Sequence, residues 1–232
     1  MYSGLGVSKG VASGKLCFCK DSFDTYEKQY IQDVAREKEN VKRAFESTAE
    51  ELTNLYELAK ERVGLTVAAI VDGHRSMIED KGCFNQITTL IEKRCVNAEW
   101  AIQEIFQGYI LMMRKAEDTY LKARAADFED LLHRVECELA NIKGLQKAEK
   151  EQNQAKESFL AIGRQFDVED ILSLYEQGAV GIIDLSGAEE SHALVVAKSL
   201  DLPMVIQVAE ECLNLVGQYC SMDGTSGNVK AE

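Results

Sequence analysis

Proline is nearly missing from this chain: Pro203 is the only one in 232 residues. Without that helix breaker, long uninterrupted helices are expected. Histidine occurs three times, as His74, His133 and His192, so each can be weighed singly. No apolar run approaches the roughly 18 residues needed to span a bilayer. Bases are scarce beside acids, with 26 Lys and Arg against 39 Asp and Glu and a net charge of −13. This argues against nucleic acid or an anionic membrane surface as partner and leaves room for a basic protein. The acidity is shared along the chain and singles out no docking face. Residues 1–15 lack the charged-then-apolar pattern of a secretory leader. The seven cysteines are an odd number and contain no C-x-x-C pair. They fit reduced thiols in the cytoplasm better than a disulfide framework or a metal site. Cys17 and Cys19 alternate along an expected strand and are expected in the core.

What is present changes character along the chain. Residues 1–20 are punctuated by Gly4, Gly6, Gly10 and Gly14. Val11-Ala12-Ser13 and Lys15 to Cys19 read as short strands. From about Asp21 the apolar period becomes helical. Ile31, Val34, Val41, Phe45, Leu52, Leu55, Ala59 and Val63 form one stripe of a long helix ending near Gly64. Further helices are expected over Thr66–Ile78 and Phe84–Arg94. Another is expected from Ala98, with Asn97 as its N-cap, running kinked to about Ile142. Its stripe includes Ile102, Ile105, Tyr109, Met112, Ala116, Tyr120, Ala123, Phe128, Leu131 and Val135, the pattern of a bundle core.

After a polar crossing from Gly144 to Lys156, strand-like runs return at Phe159–Ile162, Ala179–Ile183 and Met204–Ile206. Short helices over Asp170–Gln177 and Ala193–Leu200 lie between them. Strands at both ends with helices between imply a discontinuous α/β domain, 1–20 and 148–232, interrupted by an all-helical domain, 21–147. Residues 1–20 cannot bury an apolar face alone, which favours this over two sequential domains. The strands at both ends also argue against a third class, a purely helical structural protein.

The densest chemical signal is Gly187-Ala188-Glu189-Glu190-Ser191-His192-Ala193, followed by an apolar helix, Leu202-Pro203 and a β-branched run. It sets an imidazole at a helix N-terminus, where backbone N–H groups and the macrodipole favour an anion. A neutral imidazole is a good nucleophile near pH 7. Ser191 can donate to a phosphate there or cap the helix. Arg124 can fork onto a phosphate or pair with Asp127 or Glu117. His133 belongs to no motif and reads as structural.

The chain resembles the N-terminal half of phosphoenolpyruvate-protein phosphotransferase, Enzyme I of the bacterial sugar phosphotransferase system. Gly6 to Lys15 resembles that family's opening Gly-x-x-x-Ser-Pro-Gly-Ile-Ala-x-Gly. Asp72-Gly73-His74 with Met77-Ile78-Glu79-Asp80 resembles its second helix. Tyr120-Leu121-Lys122-Ala123-Arg124-Ala125-Ala126-Asp127 is similar to its Tyr-Leu-x-x-Arg-Ala-x-Asp motif, and Ser191-His192 to its phosphohistidine signature. The resemblance implies a swivelling α/β phosphohistidine domain with an inserted helical bundle that binds the phosphocarrier protein HPr. It implies that His192 is the catalytic residue, with Ser191 beside the phosphate and His74, Glu79 and Arg124 on the partner-binding face. It also implies that phosphoenolpyruvate and Mg²⁺ belong to a C-terminal barrel beyond Glu232. The chain alone is therefore expected to hold no cofactor or metal and to lack phosphoenolpyruvate turnover.

Several positions depart from the family pattern. Glu189 and Glu190 stand before Ser191 where the family has Gly-Gly-x-Thr-Ser-His. Gln165-Phe166-Asp167-Val168 replaces a Leu-Thr-Pro-Ser loop whose threonine contacts the active histidine. Leu65–Ala69 carries none of the acids that some members place near the docking helix. Two functions follow: a phosphohistidine relay, or a homologue that keeps the fold as a binding or regulatory module without the chemistry.

Overall fold

The structure, a computed structural model, describes residues 1–20, 25–144, 158–189 and 191–232. The first elements are β1 (Tyr2–Ser3), β2 (Leu5–Ser8) and β3 (Val11–Lys20), followed by α1 (Val34–Arg62), α2 (Leu65–Glu79) and α3 (Lys81–Arg94). Then come α4 (Ala98–Arg114), α5 (Thr119–Lys143), β4 (Phe159–Gly163), α6 (Val168–Glu176), β5 (Ala179–Asp184) and α7 (His192–Ser199). The chain closes with β6 (Met204–Ile206), a 3₁₀ turn over Glu210–Leu215, β7 (Tyr219–Asp223) and β8 (Asn228–Ala231).

Two compact units result. One comprises Met1–Ser22, Leu55–Val71 and Gln152–Glu232, the other Phe23–Asn54 and Asp72–Glu151. Leu55–Val71, expected with the helical part, therefore groups with the strands. The crossing expected at 145–156 and the boundary at 147/148 lie outside the described residues, as do residues 21–24 beside the boundary at 20/21.

The first unit is built on an eight-stranded sheet in the order β1-β8-β7-β3-β4-β5-β6-β2. Strands β3 to β6 run parallel, while β7, β8 and β1 on one side and β2 on the other are antiparallel. The amino-terminal β3 thus lies between β4 and β7 of the last third, which makes the α/β body discontinuous in sequence. β3 is one ten-residue strand rather than two short ones. β1 and β2, at opposite ends of the strand order, are separated only by Gly4, so the sheet curls until its edges meet. At that seam Gly4 donates to the Gly227 carbonyl at 2.8 Å, and a Cβ on Gly4 would strike the Ile206 carbonyl and Val208. The apolar runs of β4 and β5 are buried almost throughout, as expected of strands covered on both faces. Leu16, Leu160, Ile162, Ile183, Val205 and Val229 are each fully buried in one cluster. Truncating one of the leucines or isoleucines among them to alanine costs about 2–5 kcal/mol. Cys17 is only half-buried and Cys19 is exposed, against the expected core placement. In this half of β3 the inward positions are Gly14 and Leu16, so residue 17 takes the opposite face of the pleat.

In the second unit the apolar stripe of α1 is buried at Val41, Phe45 and Leu52, but the helix begins at Val34 and leaves Ile31 outside it. Phe45 meets Phe84 edge-on at 5.7 Å, and Phe106 meets Phe128 at 6.2 Å. The single long helix expected from Ala98 is two helices. Asp118 accepts from the Tyr120 and Leu121 N–H groups and starts α5. Within α4 the buried face runs through Ile102, Phe106 and Ile110, which leaves Met112, expected on the stripe, exposed; Tyr120, in the first turn of α5 after the break, is exposed as well. Asn97 occupies the N-cap of α4 but makes no cap bond, because its Oδ1 accepts from the Gln29 N–H at 2.9 Å. Glu37 of α1 substitutes, accepting from the Ala98 N–H at 2.7 Å. Lys143 joins Glu37 and Glu99 at 2.8 Å each, so α1, α4 and α5 share one ion cluster.

Candidate functional site

His192 is the first residue of α7 and is exposed. Ser191 sits immediately before it as N-cap, with extended backbone and its Oγ accepting from the Leu194 N–H at 3.2 Å. The cap is therefore a formed interaction, and it settles one orphan donor of the first turn. The N-terminal partial charge of the helix that His192 opens is worth about 0.3–1 kcal/mol to an anion at an exposed site. Behind the histidine, Ala193, Leu194, Val196 and Ala197 are buried, so the helix is anchored while its first residue faces solvent. Glu189 is exposed, and Glu190 lies outside the described residues.

The loop leading to His192 starts at Asp184, the last residue of β5 and only 1% exposed. Its Oδ1 accepts from the Gln165 and Ser186 N–H groups at 2.8 and 3.0 Å, and its Oδ2 from the Phe166 N–H at 3.0 Å. Where the resemblance puts a threonine, this chain has buried Phe166 and two backbone bonds to a carboxylate. Asp167 then caps α6 through a capping box with Asp170.

The helical unit brings together two of the three expected partner-binding residues. His74 on α2 is 4% exposed, with Nε2 3.3 Å from Asp127 Oδ1. Asp127 Oδ2 accepts from Arg124 Nη1 at 2.7 Å. Arg124 also donates through Nε and Nη2 to the Tyr120 hydroxyl and lies over that ring, 5.2 Å from its centroid. Of the partners expected for Arg124, Asp127 is the one it takes. Burial works to raise the Asp127 carboxyl, but hydrogen bonds from His74 and Arg124 outweigh it and hold the group below the usual carboxylate range. The bonds to Tyr120 and then Asp127 push Arg124 higher. Glu79, the last residue of α2, is exposed, and no hydrogen bond or ion pair joins it to this cluster among the described residues. His74 is thus turned inward, while Tyr120 stays exposed at 62%.

Asp127 was weighed from the sequence as a partner of Arg124, whereas Asp184 and the bond of Arg124 to Tyr120 were not. Asp127 and Tyr120 were within reach, because Arg124 stands four residues after Tyr120 and three before Asp127, the spacings of neighbours on a helix. Nothing comparable marks Asp184, two of whose three donors lie 18 and 19 residues away.

The family model described as PEP-utilising enzyme, N-terminal, matches residues 3–124, and that described as PEP-utilising enzyme, mobile domain, matches residues 160–227. The chain belongs to the PEP-utilising enzymes. It is 26% identical over 231 residues to a phosphoenolpyruvate-protein phosphotransferase of Mycoplasma capricolum, covering 99% of this chain and 39% of that protein. It is 28% identical to the Staphylococcus epidermidis protein of the same name, over 99% of this chain and 40% of the relative. The chain spans about two fifths of the length of these relatives. A solution structure of Enzyme I (nEIt) superposes with TM-score 0.76 at 24% identity, covering all of this chain and 93% of the other. A structure described as the N-terminal domain of Enzyme 1 - Nitrogen gives TM-score 0.76 at 21% identity over the same shares. At these identities the two likenesses carry the fold, an α/β domain with a helical bundle.

Among the described residues no group of three or more His, Cys, Asp or Glu side chains gathers as a metal site would require. No helix among them is long and apolar enough to cross a membrane.

Proposed function

We propose that this chain carries phosphate on His192 as the N-terminal part of a phosphoenolpyruvate-protein phosphotransferase. The donor, phosphoenolpyruvate, binds outside these 232 residues, and the acceptor is the phosphocarrier protein HPr. The observation that carries the reading is the exposed His192 at the first position of a helix whose cap and apolar face are both fixed. A ring nitrogen attacks phosphorus. The N–P bond forms as the donor's P–O bond breaks and the pyruvate enolate leaves. In the second step that N–P bond breaks as an HPr histidine nitrogen takes the phosphoryl group. Such transfer needs in-line positioning and electrostatic help more than covalent chemistry from the protein.

HPr meets the helical unit at Arg124 and Tyr120, with Glu79 at the end of α2 and His74 supporting from beneath through Asp127. The two-domain division at about 20/21 and 147/148 belongs to the same reading. A cytoplasmic setting suits seven cysteines that are all free thiols.

The direct experiment is incubation with phosphorylated HPr, followed by a search for acid-labile, base-stable phosphate. Label on His192 that vanishes in His192→Ala, with the fold retained, is the expected result. The exposed Glu189, and the absence of a hydroxyl at 165–168, favour a second reading: a binding module without chemistry. Tight HPr binding with no label in the wild type would select it.

A further inference from the structure

We infer that Asp184 is a positioning residue for transfer at His192, its buried carboxylate locking the histidine-bearing loop to the turn after β4. The inference rests on the phosphohistidine reading above. Three chain segments converge on this one residue. Gln165 and Phe166, just after β4, donate to Oδ1 and Oδ2 at 2.8 and 3.0 Å. Ser186, just after β5, donates to Oδ1 at 3.0 Å. Gln207, just after β6, donates its N–H to the Asp184 carbonyl at 2.8 Å. These are the carboxyl ends of three adjacent parallel strands, where open α/β sheets place their sites.

The local backbone shows that these contacts are demanding. Gln165 and Gln207 hold φ of 53° and 55°, the left-handed region that residues with a Cβ seldom enter. Gly187 lies directly against the carboxylate: a Cβ there would come within 2.9 Å of Asp184 Oδ2 and 2.9 Å of Ile206 Cγ2. Gln207 Nε2 reaches the Gly187 carbonyl at 3.4 Å. The start of the loop is therefore pinned on both sides, and His192 follows Gly187 by only five residues.

A carboxylate suits the task because it only accepts, and three N–H donors face it. Asparagine has nearly the same shape but turns one oxygen into a donor. With its oxygen kept at Oδ1 it retains Gln165 and Ser186, and it sets N–H against N–H at Phe166.

The test uses the 232-residue chain, the variants Asp184→Asn and Gly187→Ala, and two phosphoryl donors. Phosphorylated HPr requires an aligned protein–protein geometry. Phosphoramidate is a small donor that needs no docking. In Asp184→Asn, amide exchange should quicken about tenfold at Phe166 and at Leu194, whose N–H is held by the Ser191 cap. Transfer from phosphorylated HPr should slow about tenfold to a hundredfold, while labelling by phosphoramidate stays within about twofold. Gly187→Ala, which crowds the carboxylate from the loop side, should reproduce the split. Unchanged transfer from HPr despite a lost Phe166 bond would overturn the inference. Equal losses with both donors, the sign of a general loss of fold, would overturn it too. A wild type labelled by phosphoramidate but not by phosphorylated HPr would count against the relay. The positioning role would then stand or fall on exchange at Leu194, and unchanged protection there would reject it.

Discussion

Nε2 of His74 lies 3.3 Å from Asp127 Oδ1, so a histidine on α2 and a carboxylate on α5 are joined inside the helical unit. With Arg124 at 2.7 Å on the other oxygen, Asp127 is the hinge of a three-residue relay from a buried ring to the surface. Asp127→Asn keeps the shape and removes the charge. It should cost about 1–3 kcal/mol at pH 7, the range for breaking a hydrogen bond to a charged group. The pH dependence has a definite sign. The folded carboxyl sits below its unfolded value, so its contribution is complete above the unfolded pKa and is lost as pH falls through the folded one. The gap in Tm between wild type and Asp127→Asn should close as pH falls below about pH 4. A gap that persists undiminished to about pH 2 would show that the charge is not its source.

Asp118 starts a helix that the apolar period alone did not separate from its predecessor. Asp118→Ala removes an acceptor for two N–H groups and should cost about 0.5–2 kcal/mol, read as a lower midpoint in urea. Asp118→Ser should recover most of it, whereas an unaffected midpoint in Asp118→Ala would deny the cap any role.

The same break marks where sequence patterning stopped informing. A stripe of spacings three, four and seven reports which face of a helix is buried, but it passes through a short irregular segment unless a proline or glycine interrupts it. Lys115 to Asp118 contains neither. The strands and the loop before His192 were legible because glycine turns and β-branched runs bound them on each side. Asn97 was legible as a cap position but not as a cap, since its side chain is claimed by Gln29, distant in sequence. Asp184 was invisible for the same reason: its partners come from a neighbouring strand end. Local pattern found the helix that carries His192, and only the packed structure revealed what holds the loop before it.

The thiols divide by burial. Cys83 is pushed up to about 12, chiefly by burial and then by Asp80, and Cys212 to about 11, chiefly by burial and then by Cys220. Cys19 and Cys95 are exposed. Only the thiolate reacts with an alkylating agent. At pH 8 iodoacetamide should therefore modify Cys19 and Cys95 within minutes and leave Cys83 and Cys212 intact until the protein is denatured. Mass spectrometry of peptides from briefly treated protein gives the order. Early label on Cys83 or Cys212 would contradict the burial that protects them.

Glu189 tests whether the acid before the histidine weakens the site or is harmless. Three residues span at most about 10 Å, and a unit-charge pair at that separation in water repels by about 0.4 kcal/mol, doubled for a phosphoryl group of charge about −2. Glu189 is exposed, so the water value applies rather than a low-dielectric one. The repulsion is then comparable with the 0.3–1 kcal/mol that the α7 N-terminus offers at low salt. Near 0.15 M salt, where screening acts over about 8 Å, most of it is gone. Glu189→Gln should raise the equilibrium phosphorylation of His192 about two- to fourfold at 10 mM salt and by less than about 1.5-fold at 0.5 M. The effect is read by titrating the chain with phosphorylated HPr at each ionic strength. A gain that is large and independent of salt would mean that Glu189 presses on the histidine at close range, out of reach of screening. No gain at low salt would leave the departure from the family's loop without electrostatic consequence at this position.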